Sequence, residues 1–440
     1  MWARAELCGI ALFGLAVGGL TMGCASRTSP ATVERWQPTV DVSPAGDFAF
    51  APDVAVDASG NGTAVWVNAR GSVGSGIVQS AVRPAGGGWQ APTNLSTAGV
   101  DGLSPQVAVN ARGEAVAVWL DTTGSIVMGA ARTADGTWQP ATKVSGGGAA
   151  ASTSTPRVAI DAHGDGVTIW PRSRANENVL QAAIYRNGVG WQEHVDVAEL
   201  SATGHPSFAG PQLGVDAHGN ATVVWTHVRA GNMGVVRATT QAAGGDWRAP
   251  IDLSRRDARA ADAHVAIGGR GTMAVVWTDF NAGNGVVQGA VRRPGEAWQA
   301  PRALSGAPAG GADVAVDGHD NAIAVWTTFN SVQTAIRPAA ANWHAPLKIA
   351  NGVDISHTQI AANARGDAAA VWMASEGATV HASARRAGSD WQPPSDLLRA
   401  PSETPSAQTA IAVDPRGHAI AIWDHNRGPQ NLVVQAASYR

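Results

Sequence analysis

At 440 residues the chain is long enough for two or three independent cores. Its net charge of -3, its pI near 6.4, and 29 arginines and 2 lysines that never gather into a run exclude the basic footprint of a nucleic-acid binder. Glycine, alanine and valine dominate, while tyrosine falls to 2 and phenylalanine to 6 against 17 tryptophans, so aromatic packing must be built from tryptophan.

The chain opens with Arg4 and an apolar run, "LCGIALFGLAVGGL" (7–20), too short and glycine-rich for a membrane span and suited to a cleaved signal. The following "TMGC" resembles the lipobox of bacterial lipoproteins, with Thr21 where such signals usually carry leucine. That resemblance implies a signal peptide over 1–23, a lipid on Cys24 and attachment to the cell envelope through it. Cys8 leaves with the signal, so Cys24 becomes the only thiol and no internal disulfide can form. Residues 24–35 read as a polar tether.

From residue 36 the sequence repeats. Tryptophans that end an Ala/Val run fall at 66, 119, 170, 225, 277, 326, 372 and 423. A second set, Trp36, Trp89, Trp138, Trp191, Trp247, Trp298, Trp343 and Trp391, opens segments such as "WQAPTNLS". Each unit of about fifty residues reads as four short strands, in the first copy 53–57, 62–67, 77–83 and 89–96. The second strand is apolar on both faces and needs cover on both. The chain begins with a lone fourth-strand segment (36–43) and ends on a third-strand segment (432–440), so each terminus supplies what the other lacks. The pattern predicts an all-β, eight-bladed β-propeller over 36–440, four antiparallel strands per blade, with the last blade closed by the N-terminal strand. Prolines two or three residues after seven of the outer tryptophans place the fourth strand on the rim, where no ladder hydrogen bond is lost.

The turns between first and second strands begin at Asp57, Asn110, Asp161, Asp216, Gly268, Asp317, Asn363 and Asp414, and seven of the eight have glycine three residues on. Asx followed by glycine at that spacing is a turn signature, and even "DAHGDG" (161–166) and "DGHDN" (317–321) provide only two acidic groups each, a poor set for calcium. His163, His218 and His319 sit at exposed turn positions. No metal and no cofactor is expected. The arginines ending third strands (Arg83, Arg132, Arg292, Arg337, Arg385) read as repeated structural contacts.

Function should then lie where the copies differ, on the face carrying the fourth-to-first crossovers and the second-to-third loops. Two rings are candidates there. The residues entering the first strands, nearest the channel, are Asp53, Gln106, Arg157, Gln212, His264, Asp313, Gln359 and Ala410. Those two after each second-strand tryptophan are Asn68, Asp121, Arg172, His227, Asp279, Thr328, Ala374 and His425. The ligand-binding candidates drawn from them are Asp53, Gln106, Arg157, Gln212, His264, Asp313, Asp121, Arg172, His227, Asp279 and His425.

The stretch "AVDASGNGTAVW" is similar to the docking repeat of quinoprotein dehydrogenases, without their adjacent cysteines. The Asp-x-x-Gly turns resemble the Asp boxes of sialidases, with a longer Gly-to-Trp spacing and with Tyr185 and Tyr439 away from the variable face. Anchor, length and blade number resemble the outer-membrane assembly lipoprotein. These resemblances imply a monomeric, lipid-anchored envelope propeller that binds or scaffolds a protein or glycan without catalysis. The alternatives are a glycoside hydrolase, with Asp279 and Asp313 as its carboxylate pair, or a secreted lectin.

Overall fold

A computed structural model describes residues 34–46, 48–69, 76–97, 101–123, 125–146, 155–174, 177–201, 210–229, 233–281, 283–374, 379–399, 405–428 and 431–440. The signal segment, Cys24, the tether up to residue 33 and parts of the variable crossovers and loops lie outside these. Residues 35–440 form one compact unit.

Every described element is a β-strand, and the strands make eight four-stranded antiparallel blades. Blade 1 consists of Ala49–Val56, Gly62–Asn68, Ile77–Arg83 and Thr93–Asn94 in that order from the inside out, and the other blades repeat it. A single parallel bridge, Ser201 to Val228, ties blade 3 to blade 4. The first strand starts earlier than the repeat suggests, at Ala49 rather than Asp53, because it runs through a bulge between Phe50 and Asp53. The fourth strand is shorter than expected: in blades 1, 2, 4, 5 and 8 it is only two residues, and its tryptophan and proline precede it. Short, proline-led edges offer little ladder to another molecule.

The ring closes through its two ends. Val40 and Asp41 pair with Ala436 and Gln435, Trp36 bridges Tyr439, and the Arg35 amide donates to the Arg440 carbonyl at 2.8 Å. Asp41 also receives both terminal nitrogens of Arg427, at 2.7 and 2.9 Å. The Ser43 hydroxyl accepts from the Val434 amide as Ser96, Ser145, Ser254 and Ser305 accept from Val78, Val127, Val236 and Val287. The borrowed strand therefore reproduces the local bonding of a contiguous one.

Between every two blades lies one apolar core centred on a second-strand tryptophan packed against the preceding blade. Trp119 meets Val65 and Val78 of blade 1, and Trp225 meets Ile169 and Leu180 of blade 3. Trp66 meets Ile420, Ile422 and Val434 of blade 8, which is the closing contact. All eight are 0–2 % exposed. The outer tryptophans, half-buried, flank the same cores. Of the eight second-strand indole N–H groups, six, including those of Trp66 and Trp119, have no hydrogen-bond partner among the described residues, whereas that of Trp170 reaches Gln181. Burying about 200 Å² of indole is worth about 5 kcal/mol, which exceeds the roughly 1–3 kcal/mol of an unmade bond. Packing therefore decides the position of these side chains.

The Asx turns interlock the blades on the face opposite the variable loops. The Asp57 carboxylate accepts from the amides of Ser59 and Asn61 and from the Asn61 side chain, at 2.8–2.9 Å. Gly366 combines a φ of +91° with a close approach, since a Cβ there would lie 2.8 Å from the Asp317 carboxylate of the preceding blade. In blade 6 an aspartate, Asp320, takes the left-handed position at φ 65° that glycine holds elsewhere.

A chain beginning at residue 35 should keep the thermal midpoint of one beginning at residue 24. A chain beginning at residue 44, which lacks the closing strand, should melt roughly 10 °C lower or more. Equal midpoints for all three by calorimetry would show that closure contributes nothing to stability.

Candidate functional site

The first strands converge on the channel, and the bulge in them shapes its mouth. Register shifts occur between Phe50 and Asp53, Leu103 and Gln106, Ala261 and His264, Gly310 and Asp313, and Ser356 and Gln359. In each the first extra residue is left-handed: Ala51, Ser104, Asp262, Gly311 and His357, at φ 50–58°. A non-glycine residue in that conformation costs about 1–2 kcal/mol, so a backbone that holds it in four blades is strongly determined by its surroundings. The bulge re-aims two successive positions toward the mouth.

The result is a cavity of about 430 Å³ lined by residues from seven blades. Asp53, Gln106, Arg157 and His264 line it, as do Gln359 and Ala410, so most of the entering ring is brought together, while Asp313 is not in the lining. Gln212, although partly exposed, is not among the lining residues. A further set comes from the bulges, Ser104, Asp262, His357 and Gln408, and from Thr155 just before the first strand of blade 3. Sequence reasoning missed that set, although Pro105 and Pro156, which follow Ser104 and Thr155, and Pro52 and Pro211 at the same place in blades 1 and 4, marked a break before the inner part of the first strands.

Several of these groups are held by bonds between blades. Asp53 accepts from the Val107 amide of blade 2 at 2.9 Å, and Asp313 accepts from the Ile360 amide of blade 7 at 3.0 Å. The other Asp313 oxygen meets the Val314 amide at 2.9 Å and His264 Nδ1 of blade 5 at 3.1 Å. Arg157 donates to Gln106 Oε1 at 2.8 Å. Burial pushes the Asp53 carboxyl up to about 6, against the opposing effect of the Val107 and Val54 amides and Arg157. Burial also draws the Arg157 guanidinium below its ordinary value, while the Asp53 and Asp313 carboxylates act the other way. Arg157 is thus within electrostatic range of two acids that stand three blades apart around the ring.

The second ring is placed elsewhere. His425 Nδ1 pairs with Gln435 Oε1 at 2.9 Å, and Gln435 donates on to Asp41 at 2.9 Å. Asn68, Gln79 and Asn94 make the same relay in blade 1. His227 is buried opposite Val235, and burial followed by the Arg237 charge keeps its pKa below the ordinary value. Asp121 and Asp279 accept from the amides of Thr123 and Asn281 in their own turns, both at 2.9 Å. Arg172 sits in the ladder opposite Val179. None of these six second-ring residues lines the cavity, and neither Asp279 nor Asp313 does. Among the described residues no three or more His, Cys, Asp or Glu side chains gather as a cation site would require.

No protein-family profile and no curated protein sequence matches the chain. Solved structures do share its fold. The BP39L lectin from Burkholderia pseudomallei is 13% identical at a TM-score of 0.58, covering 80% of this chain and 100% of its own. The Dos1 propeller is 8% identical at 0.52, covering 92% and 95%. The NanB sialidase from Streptococcus pneumoniae is 10% identical at 0.40, covering 92% and 98%. At these identities the likeness establishes the propeller fold alone.

The Asp53 value near 6 stands above the ordinary 3.8, so between those pH values the folded chain keeps a proton that the unfolded chain has lost. The stability this carboxyl contributes is complete below about pH 4 and is lost as pH rises through about 6. Asp53→Asn cannot ionise and keeps an acceptor for the Val107 amide. Its stability gain over the parent should therefore be larger at pH 8 than at pH 4, by roughly 2–3 kcal/mol in urea unfolding. A pH-independent difference would mean that this carboxyl titrates as a solvated one.

Proposed function

We propose that the protein is a non-catalytic glycan-binding propeller, held at the bacterial cell envelope by a lipid on Cys24 and acting through the cavity at its channel mouth. The observation that carries this reading is the make-up of that cavity: carboxylates, amides, a guanidinium, imidazoles and hydroxyls from seven blades converge on about 430 Å³. Such a volume lies at the small-molecule end of binding sites, and it matches one or two sugar rings better than a protein surface. Fixed donors and acceptors side by side are what a polyol requires, because a hydroxyl left unpaired on desolvation is costly. The similarity to a propeller that is a lectin supports the same reading.

The absence of catalysis rests on what occupies the acids. Asp53 in the lining, and Asp313 next in the chain to the lining residue Ala312, each have an oxygen held by the amide of the next blade, which stabilises the ring and reduces their freedom to transfer protons. A glycoside hydrolase would need two carboxyls facing each other across the sugar. The raised Asp53 value is the one feature that suits such an enzyme as general acid, and the experiment includes that outcome.

A glycan array followed by calorimetry on the best binder should give a dissociation constant that weakens about tenfold in Asp262→Ala and His357→Ala, both exposed on the bulges and remote from the interblade cores. No product should form from any bound glycan. Failure of every glycan to bind would sink the proposal, as would cleavage that disappears in Asp313→Asn. Metabolic labelling with palmitate that is lost in Cys24→Ser checks the anchor.

A further inference from the structure

A second cavity lies far from the channel mouth, in the cleft between blades 4 and 5 on the face of the Asx turns. It has a volume of about 360 Å³ and includes Arg248, Arg270, Arg292, His218, Met273 and Pro294 in its lining. A cleft of equal size occurs at the equivalent place between blades 8 and 1, where Trp89, Ile420 and Ala436 make it largely apolar. The comparison between these two isolates what is particular to the first.

Three departures from the repeat converge there. The residue after the outer tryptophan is glutamine in six blades (Gln37, Gln90, Gln139, Gln192, Gln299, Gln392) and histidine in one, but arginine at 248. The turn head is Asp or Asn in seven blades but Gly268 in blade 5, so this turn carries no acid at the position beside Arg270. The residue opposite the start of the second strand is arginine in five blades and tyrosine in two, where it packs on the outer tryptophan. In blade 4 it is Gln241, which turns back to the Gly245 carbonyl at 2.8 Å and leaves the cleft open. The cation stands after the outer tryptophan instead of at the third-strand end, one acid is missing and one bulky side chain is shortened, all at a single interface.

The charges in the cleft are not answered from within. Arg248 and Arg270 are exposed, and among the described residues neither has an ion-pair partner. Arg292 uses its Nε on the Glu296 carbonyl at 2.9 Å. The only carboxylate in the lining is Asp216, whose oxygens already accept from the His218 and Asn220 amides and the Asn220 side chain at 2.7–2.9 Å. Three guanidinium groups around a sugar-sized hollow with an apolar floor of Met273 and Pro294 suit an oxyanion attached to a compact ring.

We infer that this cleft is a binding site for an anionic saccharide, recognised through a carboxylate or sulfate by Arg248 and Arg270. It is independent of the channel-mouth reading, since the two sites share no residue. Arg248→Gln and Arg270→Ser restore residue types found at the same positions of other blades, so both variants should fold. By calorimetry, trigalacturonate or a sulfated heparin disaccharide should bind the full chain, with affinity falling as salt rises, while neutral maltotriose should not. Each substitution should weaken binding about tenfold, and His357→Ala should leave it unchanged. A preference for trigalacturonate assigns the anion as carboxylate, and a preference for the heparin disaccharide assigns it as sulfate. The inference is overturned if neither anionic probe binds, if the double variant binds as tightly as the parent, or if a phosphopeptide binds more tightly than both saccharides.

Discussion

The contact on which the structure depends is the burial of one indole between each pair of adjacent blades. A second strand such as Ala64–Trp66 presents its large ring to the preceding blade, and that blade offers branched side chains, Ile420, Ile422 and Val434 in the closing case, to receive it. Because the contact is directional, each blade both gives a tryptophan and receives one. Eight such steps return to the start only if the last interface forms. If the ring stayed open, Trp66 would lose its receiving blade and Trp89 its flanking cover. The exchange of the N-terminal strand into blade 8 follows from this, since it seals the sheet that receives Trp66 and sets Trp36 beside Trp423 in the core shared with blade 7.

The same requirement explains why the polar repeats are structural. An Asx side chain that accepts two amides of its own turn holds the glycine of that turn at positive φ, and the glycine admits the Asx of the blade before it. Arg132 at a third-strand end lies 5.5 Å over the outer Trp138, and Tyr185 and Tyr439 take the same place against Trp191 and Trp36. The two tyrosines of the chain are accordingly packing substitutes for arginine. Residues present in every blade thereby serve the interfaces, and chemistry peculiar to one blade is free for recognition.

Blade number, strand count and closure were legible in the residues because the tryptophan period, the outer prolines and the complementary ends are each set by packing that must recur. The channel-mouth cavity was only half legible. Its inner members, Asp53 through Gln359, followed from their position at the entry of the strand. Asp262 and His357 did not, because a left-handed bulge on a non-glycine residue leaves no signature in its own residue type, and at Ser104 the sign was only the neighbouring Pro105. The second ring shows a different difficulty. Asn68 is two residues from Trp66 and so shares its face, and since Trp66 lies between blades, period two alone places Asn68 there as well. Treating that position as a loop end ignored the strand's continuation to Asn68.

Ring closure and recognition are coupled by the way the cavity is assembled. Its groups come from seven blades, and Asp53 holds its place by bonding to the blade after its own, as does Asp313 next to the lining residue Ala312. Opening the ring at any interface would therefore disperse the cavity before any individual blade unfolded. A ligand that bridges opposite sides of the mouth binds only the closed form, so it must stabilise closure by the full free energy of its binding. The interblade cleft at Arg248 and Arg270 spans a single interface, and a ligand there favours that interface alone. The two sites thus differ in what they can report: occupancy of the channel mouth depends on the integrity of the whole ring, whereas occupancy of the cleft depends on two neighbouring blades.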